Sequence, residues 1–373
     1  MRPRLIALLL TAGSWASAAE SDRIDPLSWI RVGDDGTGFV RVDNGRAFVP
    51  WGFNYDHDAS GRLLEDYWEK EWPTVEEDFR EMRSLGANVV RVHLQFGRFM
   101  RSPDQPDTAA LARLGLLVKL AERTGLHLDV TGLGCYHRKD VPGWYDALDE
   151  ARRWDAQAVF WASVARICAA SPAVFCYDLM NEPILPGAKP ESDWLAGEFG
   201  GKHFVQRISL DLAGRRREDV ARAWLEKLAG AIRAVDRRHL ITVGEIPWSL
   251  TFPGAKPLFS DRETGRVLDF ASIHVYPKTG ESERAMTALR SHALGRPVLI
   301  EEMFPLACTA AELEEFIARS RGVAAGWIGF YWGKLPAEYD RGASVAAAVT
   351  RDWLELFARR APDFSRQIGR AHV

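Results

Sequence analysis

Short apolar blocks alternate along the chain with longer blocks in which apolar side chains recur every three or four positions. The short blocks are rich in β-branched and aromatic residues, which is typical of buried strands, whereas the longer blocks have the period of amphipathic helices. This pattern predicts eight strands, at residues 49–54, 88–94, 126–131, 174–179, 240–243, 270–275, 298–301 and 327–331.

The helical blocks carry recognisable start and stop signals. Thr74 and Glu77 form a capping-box pattern, Gly86 marks the end of that helix, and Thr309 with Glu312 repeats the pattern later. Further helices are predicted around residues 111–121, 155–169, 219–235, 282–294 and 346–357. Residues 245–269 have no helical period, so we expect the helix after the fifth strand to be short or missing.

A strand followed by a helix, repeated eight times, requires a parallel sheet covered by helices, and eight such units close into a barrel. Before the first unit, Asn44-Gly45 separates two alternating runs, which is a strong hairpin signal. We therefore predict an α/β fold, a (β/α)8 TIM barrel with a small N-terminal β-hairpin. An open doubly wound sheet is the alternative, although no glycine-rich phosphate turn follows the first strand.

Two connections, residues 132–154 and 184–218, are long enough to be functional lids or inserts. No linker-like or repeated segment marks a second module. We expect residues 20–373 to form a single domain that carries the whole barrel.

The first 19 residues have the pattern of a secretory signal peptide. Arg2 and Arg4 precede an apolar centre, and small residues follow it. No later stretch is long and apolar enough to span a membrane. We expect the mature protein to be secreted or periplasmic.

Composition narrows the choice of partner. The 373 residues carry a formal net charge of −3, whereas nucleic-acid binding requires a basic surface, so a neutral partner fits better. Fourteen tryptophans exceed what core packing requires, and their flat faces suit the apolar faces of sugars. The four cysteines lack metal-ligand spacing, and Cys168 and Cys176 are expected to be buried free thiols. We expect a monomer that needs no metal or other cofactor.

Polar side chains follow the predicted strands at the ends where α/β barrels carry their chemistry. Asn181 and Glu182 follow the fourth strand and precede Pro183, which favours extended backbone at Glu182. Alone, this Asn-Glu-Pro stretch is equally compatible with a simple turn. The other strand ends supply Trp51, Asn54, Arg91, His93, Glu245, His274, Tyr276, Glu301, Glu302 and Trp332.

The open end of a barrel, where these strand ends meet, is its mouth. Two carboxylates on opposite sides of the mouth are what glycoside hydrolysis requires, because one protonates the leaving oxygen and the other attacks the anomeric carbon or activates water. The neighbouring side chains have roles under this hypothesis. Arg91 can stabilise the negative charge of the nucleophile, and Tyr276 can donate to it. Asn181 can bind a sugar hydroxyl, His274 can lie close to the acid, and Trp332 offers a stacking ring.

These motifs resemble those of glycoside hydrolase family 5, the cellulase-like enzymes, over nearly the whole mature length. The matching pieces, in the family's order, are Asn88-Val89-Val90-Arg91, Asn181-Glu182-Pro183, His274-Val275-Tyr276, Pro297-Val298-Leu299-Ile300-Glu301-Glu302 and Trp332. The resemblance implies a retaining (β/α)8-barrel β-glycosidase acting on a β-linked polysaccharide or oligosaccharide. It implies that Glu182 is the general acid/base and that a glutamate on strand seven is the nucleophile.

The family pattern on strand seven has a small residue before the nucleophile, which aligns Glu302 with the nucleophile and Glu301 with the small residue. Neighbours on a strand point to opposite faces, so we expect the two side chains to have separate roles. Met303-Phe304 replaces the usual aromatic-glycine pair that follows.

Strand three departs from the family pattern. Thr131 stands where cellulase-like members usually carry a histidine, and His137 is a distant substitute. Residues that we consider possible substrate contacts are Trp51, Asn54, His137, Glu245 and Trp248. The sequence leaves open the sugar, its linkage, and whether cleavage is internal or at a chain end.

Two other functions remain as alternatives. A carbohydrate-binding barrel without catalysis would need the same mouth, but the presence of both glutamates argues against it. A metal-dependent barrel hydrolase would need clustered ligands, whereas His57, His93, His137 and His274 lack ligand spacing.

Overall fold

The barrel is closed by eight parallel strands, which confirms the predicted (β/α)8 fold and excludes the open sheet. The computed structural model describes residues 26–365, so the predicted signal peptide lies outside the described residues. Pairing of the eighth strand with the first completes the barrel. The strands are β1 (Trp51–Tyr55), β2 (Val89–Gln95), β3 (His127–Gly134), β4 (Val174–Asn181), β5 (Leu240–Glu245), β6 (Ala271–His274), β7 (Val298–Glu302) and β8 (Gly326–Phe330).

Helices pack around the outside of the barrel. The longer ones are α1 (Trp72–Ser84), α2 (Thr108–Thr124), α3 (Glu150–Cys168), α4 (Arg217–Arg233), α5 (Ser282–Ser291), α6 (Ala310–Ser320) and α7 (Val345–Ser365). Between β5 and β6 the described chain has only the turn Trp248–Leu250, as the missing helical period predicted. None of the helices in residues 26–365 has the length and apolar character needed to cross a bilayer.

The helix ends follow from local chemistry. The Thr309 hydroxyl accepts a hydrogen bond from the Glu312 amide, and the Glu312 carboxylate accepts one from the Thr309 amide, which confirms this capping box. The capping box predicted at Thr74 is wrong, because α1 already begins at Trp72. Pro73 explains the earlier start, since its fixed φ suits the first helical turn.

Shorter elements decorate the connections. They are the helices Leu64–Tyr67, Phe96–Phe99 and Gly143–Asp146, the turns Arg138–Asp140 and Pro336–Glu338, and the strand pairs Met100–Ser102 with Gln105–Pro106 and Pro183–Ile184 with Gln206–Arg207. The four cysteines, all in the described part of the chain, are free, and Cys168 and Cys176 are buried as expected.

A small antiparallel sheet closes the end of the barrel where the strands begin. The predicted hairpin pairs Phe39–Arg41 with Ala47–Phe48, and Gly45 turns it with a positive φ of 67°. A third strand that the sequence pattern did not reveal, Ile30–Val32, pairs on its other side. Phe39 packs its ring edge against Phe175 at 5.0 Å, inside the barrel. This sheet leaves the opposite end of the barrel open for chemistry.

The position of Trp51 corrects one prediction. Trp51 begins β1 and is fully buried against α7, where its ring stacks on Phe357 at 4.5 Å and Phe364 at 4.2 Å. Stacked aromatic pairs of this kind add about 0.5–1.5 kcal/mol beyond burial alone. Trp51 therefore joins barrel to helix and does not reach the mouth.

Candidate active site

A cavity of about 310 Å³ opens at the ends of the barrel strands. The polar side chains that line it include Asp56, His57, His93, Asn181, Glu182, Lys202, Tyr276 and Glu302. Phe199, Phe204, Phe304, Leu306, Phe330 and Trp332 supply its apolar walls. A mostly apolar pocket with a few converging polar groups is typical of a small-molecule or sugar site.

Glu182 and Glu302 face each other inside this cavity. One carboxylate oxygen of Glu182, one of Glu302 and a ring nitrogen of His274 all lie within 4.8 Å of one another. The Glu182 side chain is 17% exposed and that of Glu302 is 11% exposed, so both are largely shielded from bulk water. The structure thus brings together the two carboxylates that the sequence placed 120 residues apart (302 minus 182).

Consecutive glutamates on β7 both point into the barrel, which contradicts the expected alternation. Ile273 pairs with Ile300, but the next residue of β6, His274, pairs with Glu302. Glu301 is therefore the extra residue of a β-bulge, and a bulge interrupts alternation. Glu301 is completely buried beneath the cavity, while Glu302 reaches its surface.

Arg91 is the central cation of the site. It is completely buried, and its Nη1 donates to Glu302 Oε1 at 2.6 Å and to Asn54 Oδ1 at 2.9 Å. Its Nη2 donates to Asp178 Oδ2 at 2.7 Å and to Asn181 Oδ1 at 2.9 Å. The planar guanidinium thus fixes several side chains at once, as a lysine could not. Arg91 does not line the cavity and acts through Glu302 from below.

A layer of buried acids lies beneath Arg91. Asp178 accepts hydrogen bonds from the Thr131 hydroxyl at 2.8 Å and the Gly244 amide at 2.8 Å, in addition to the one from Arg91. Burial and the neighbouring Glu301 raise the pKa of Asp129 well above its ordinary value. Burial opposes ionisation of Glu301, yet Arg91 and His274 lower its pKa. Glu301 therefore supplies negative charge next to both Arg91 and His274, at 3.5 Å and 3.4 Å.

His274 links the two glutamates of the cavity to the layer below. Its Nδ1 lies 2.9 Å from Glu182 Oε1 and 3.4 Å from Glu302 Oε2, and its Nε2 lies 3.4 Å from Glu301 Oε2. Burial opposes the charged ring, but Glu302, Glu182 and Glu301 together raise the pKa of His274 to about 10. His274 is therefore an imidazolium at neutral pH and donates from both nitrogens.

Tyr276 and Asn181 complete the first layer around the glutamates. The Tyr276 hydroxyl donates to Glu302 Oε2 at 2.6 Å, and burial raises the pKa of Tyr276 well above its ordinary value, so it remains a donor. Asn181 Nδ2 donates to the Phe204 carbonyl at 3.0 Å. Because an amide nitrogen carries two hydrogens, Asn181 keeps one for a ligand in the cavity.

The backbone at Glu182 corrects a second prediction. Glu182 has a φ of 48°, in the left-handed region, whereas the following Pro183 predicted extended backbone. Its amide donates to the Gly244 carbonyl at 3.0 Å, which ties it to β5. Left-handed backbone at a residue other than glycine costs about 1–3 kcal/mol and is concentrated at functional sites. The tertiary hydrogen bond overrides the local preference and turns the carboxylate into the cavity.

Trp332 lies on the cavity wall after β8. Its ring is parallel to that of His57, with centroids 5.7 Å apart and an interplanar angle of 7°. The rings of Phe304 and Phe330 also pack against Trp332, with their centroids 5.2 Å and 5.4 Å from the centroid of its ring. This aromatic wall fixes the ring that the sequence suggested for sugar stacking.

Four possible substrate contacts lie away from the cavity surface. Asn54 is completely buried, and its amide donates to the carbonyls of Glu301 and Gly329 at 2.9 Å each. Glu245 is 2% exposed, and its carboxylate accepts hydrogen bonds from the amides of residues 258, 259 and 260. These bonds anchor the chain between β5 and β6, where no long helix forms. His137 and Trp248 lie in connections and do not line the cavity.

Several site residues were missed at the sequence level. Asp178 had a usable signal, because a charge in the middle of an apolar strand requires a buried partner. Asp56, directly after β1, could have been found by extending the list of strand ends by two residues beyond Asn54. Lys202 had no local signal, since its position depends on the path of the long loop after β4.

Glu182, His274 and Glu302 are also the three groups, within the described residues, that are close enough to hold a metal ion. A metal ligand must offer a lone pair, whereas an imidazolium has none to offer. With the pKa of His274 at about 10, this trio fits proton chemistry better than metal binding at neutral pH.

The fold and the site together define a (β/α)8-barrel protein of the glycoside-hydrolase class. The sequence matches the family described as cellulase (glycosyl hydrolase family 5) over residues 50–305. The chain belongs to this family.

A curated relative shares part of the sequence, and solved structures share the fold. A mannan endo-1,4-β-mannosidase A from Emericella nidulans is 26% identical over 264 residues, which cover 60% of each chain. The chain thus spans about three fifths of that relative's length. An exo-β-1,4-mannosidase from Opitutaceae bacterium strain TAV5 has a TM-score of 0.67 at 18% identity, covering 91% of this chain and 64% of the other. A β-1,4-mannanase from the sea hare Aplysia kurodai has a TM-score of 0.60 at 16% identity, covering 87% and 95%.

Proposed function

We propose that this protein hydrolyses β-mannosidic bonds with retention of configuration, with Glu302 as nucleophile and Glu182 as general acid/base. The observation that carries the proposal is the pair of carboxylates in one cavity, with oxygens within 4.8 Å. Retaining glycosidases hold their two carboxyl groups about 5–5.5 Å apart, whereas inverting enzymes hold them about 6.5–9.5 Å apart to admit a water.

In the first step, Glu302 attacks the anomeric carbon while Glu182 gives its proton to the glycosidic oxygen. The bond between that carbon and the leaving sugar breaks, and a glycosyl ester forms on Glu302. Arg91 and Tyr276 hold one carboxylate oxygen each, at 2.6 Å and 2.6 Å, so the nucleophile is fixed before substrate arrives.

In the second step, Glu182 takes a proton from water, and the water oxygen attacks the anomeric carbon. The ester bond to Glu302 breaks, and the carboxylate returns to Arg91 and Tyr276. His274 Nδ1 lies 2.9 Å from Glu182 Oε1 and holds this carboxyl group in position in both steps.

The choice of mannosides rests on the curated relative from Emericella nidulans, which is a mannan endo-1,4-β-mannosidase. We also propose that the protein is exported under the direction of residues 1–19 and that residues 20–373 act as one monomeric catalytic domain. The leader composition and the strand-helix alternation support these proposals.

The test compares Glu182→Gln with Glu302→Gln on two substrates, a manno-oligosaccharide and 2,4-dinitrophenyl β-mannoside. A sugar leaving group needs protonation, whereas dinitrophenolate does not. Glu182→Gln should therefore lose about 10²–10⁴-fold in kcat/KM on the oligosaccharide and much less on the aryl mannoside. Glu302→Gln should lose activity on both.

Glu198→Gln, which removes an exposed carboxylate from the same loop region, is the matched control and should keep wild-type activity. Proton NMR of the first product formed should show the β-anomer. Release of the α-anomer, or full activity of either glutamine variant on the oligosaccharide, contradicts the mechanism. Tight binding of oligosaccharides without turnover by the wild type would favour the carbohydrate-binding alternative.

A further inference from the structure

Two loops meet above the cavity. The first, residues 57–63, follows β1, and the second, residues 197–205, follows β4, although β1 and β4 are not neighbours in the barrel. A β-carbon on Gly61 would lie 3.3 Å from Lys202 Nζ, so the lysine side chain reaches the first loop. We call this contact the Gly61–Lys202 closure.

The second loop is held in place by the barrel beneath it. The His203 amide donates to the Tyr136 carbonyl at 2.9 Å, and Asn181 Nδ2 donates to the Phe204 carbonyl at 3.0 Å. Phe199 and Lys202 exchange backbone hydrogen bonds of 2.8 Å and 3.1 Å, which form a tight turn. The closure is therefore part of the folded structure.

Two charged groups at this closure have unused hydrogen-bonding capacity. Asp56 is 4% exposed, and its Oδ1 is buried without a hydrogen-bond partner. Lys202 is 6% exposed, and within residues 26–365 its ammonium has no hydrogen-bond or ion-pair partner. Both line the cavity, and Asp56 interacts electrostatically with both Lys202 and Glu302. The buried Asp56 Oδ1 has no partner and needs an explanation, such as a ligand that completes it.

We propose that Asp56 and Lys202 bind the hydroxyl groups of the terminal, non-reducing sugar and that the Gly61–Lys202 closure restricts cleavage to chain ends. This inference rests on the proposed β-mannosidase function. A hydroxyl both donates and accepts, an ionised carboxylate only accepts, and an ammonium only donates. Adjacent hydroxyls of one sugar ring can therefore satisfy Asp56 and Lys202 together.

Asp56 and Lys202 would then set the direction of the substrate. They line the same cavity as Glu302, so we infer that they bind the sugar whose anomeric carbon faces Glu302. Under this proposal the Gly61–Lys202 closure blocks a longer chain beyond that sugar, the leaving part of the substrate lies on the Glu182 side, and each reaction releases one sugar unit.

The experiment follows the products of mannohexaose labelled at its reducing end. The wild type should release free mannose from the first time points together with labelled pentaose, then labelled tetraose, and should leave the viscosity of a mannan solution unchanged. Early appearance of labelled products of every length overturns the inference. If the wild type hydrolyses neither this substrate nor aryl β-mannosides, it is the proposed function that fails.

Two variants test the residues themselves. Lys202→Ala should raise KM for 4-nitrophenyl β-mannoside about tenfold or more, and should allow internal products from mannohexaose, because it removes the closure. Asp56→Asn should raise KM by a similar factor without internal products, because it keeps the shape of the wall. The matched control Lys189→Ala alters an exposed lysine of the same connection and should match the wild type. Unchanged KM in both test variants, at wild-type Tm, overturns the assignment.

Discussion

His274→Gln offers a direct test of the charges in the site through stability. The carboxylates around His274 raise its pKa to about 10, whereas an unfolded histidine titrates near 6.5. The folded state therefore holds one proton that the unfolded state lacks between these pH values. Because the folded pKa is the higher one, this stabilisation is complete below about pH 6.5 and disappears as the pH rises through 10.

The magnitude follows from proton linkage. One extra bound proton in the folded state changes the free energy of unfolding by about 1.4 kcal/mol per pH unit. Between pH 7 and pH 9 the wild type should lose about 2.7 kcal/mol relative to His274→Gln, which has no proton to release. Urea unfolding followed by tryptophan fluorescence at half-unit pH steps gives both curves.

His127→Gln is the matched control. His127 is also completely buried, but burial lowers its pKa to about 3, so it stays neutral at every pH above 7 in both states. The difference between wild type and this variant should be constant from pH 7 to pH 9. If the free energies of unfolding of wild type and His274→Gln changed in parallel over the same pH range, His274 would not be an imidazolium in the folded state, and the charge pattern deduced from it would be wrong.

Other predictions concern packing and buried charge. Gly244→Ala should destabilise the fold by about 1–3 kcal/mol, because a β-carbon there would lie 2.7 Å from a ring nitrogen of His274. Gly230 lies within α4 on its exposed side with open space around it, so Gly230→Ala should stabilise the fold by about 0.5–1 kcal/mol. Urea unfolding of both alanine variants should show a loss of stability for the first and a gain for the second. Glu245→Gln should cost about 1–3 kcal/mol and speed hydrogen exchange at the three amides it binds, and unchanged exchange would contradict its anchoring role. Arg91→Met should cost about 3–5 kcal/mol in the free energy of unfolding at pH 7, because it leaves buried carboxylates without their cation, and an unchanged free energy of unfolding would contradict the network.

The sequence was sufficient for the barrel and for the meeting of Glu182 and Glu302 in one cavity because both depend on local patterns. Strand and helix periods repeat in each βα unit, and parallel units of this number have one way to close. Glu182 lies next to a strand end that the apolar run defines by itself. The residues that follow parallel strands must meet at one end, so their convergence could be predicted without knowledge of any contact.

Features that depend on pairing between distant segments could not be predicted in this way. The bulge at Glu301 arises from the register between β6 and β7, which no pattern within β7 records. The left-handed backbone at Glu182 depends on a hydrogen bond to Gly244, 62 residues later (244 minus 182). Lys202 reaches its place through a loop whose path is set by hydrogen bonds to Tyr136 and Asn181.

The misplacement of Trp51 has a different physical origin. A tryptophan beside a polar strand end is typical of a ring on which a sugar stacks, but its large apolar area also suits the space between a barrel strand and a helix. Its place at the first position of β1, rather than the last, decides between the two. When the predicted bounds of a short strand are wrong by a few residues, a residue at the beginning of the strand is assigned to its end.

The bulge on β7 makes the chemistry of this site sensitive to chain length as well as to residue identity. Removal of the extra residue, Glu301, would restore regular alternation and leave Glu302 paired with His274. The cavity would keep the carboxylate that we propose as nucleophile, and the buried layer would lose the one beside Arg91 and His274. A single-codon deletion would therefore change the charge beneath the site without removing either glutamate of the cavity.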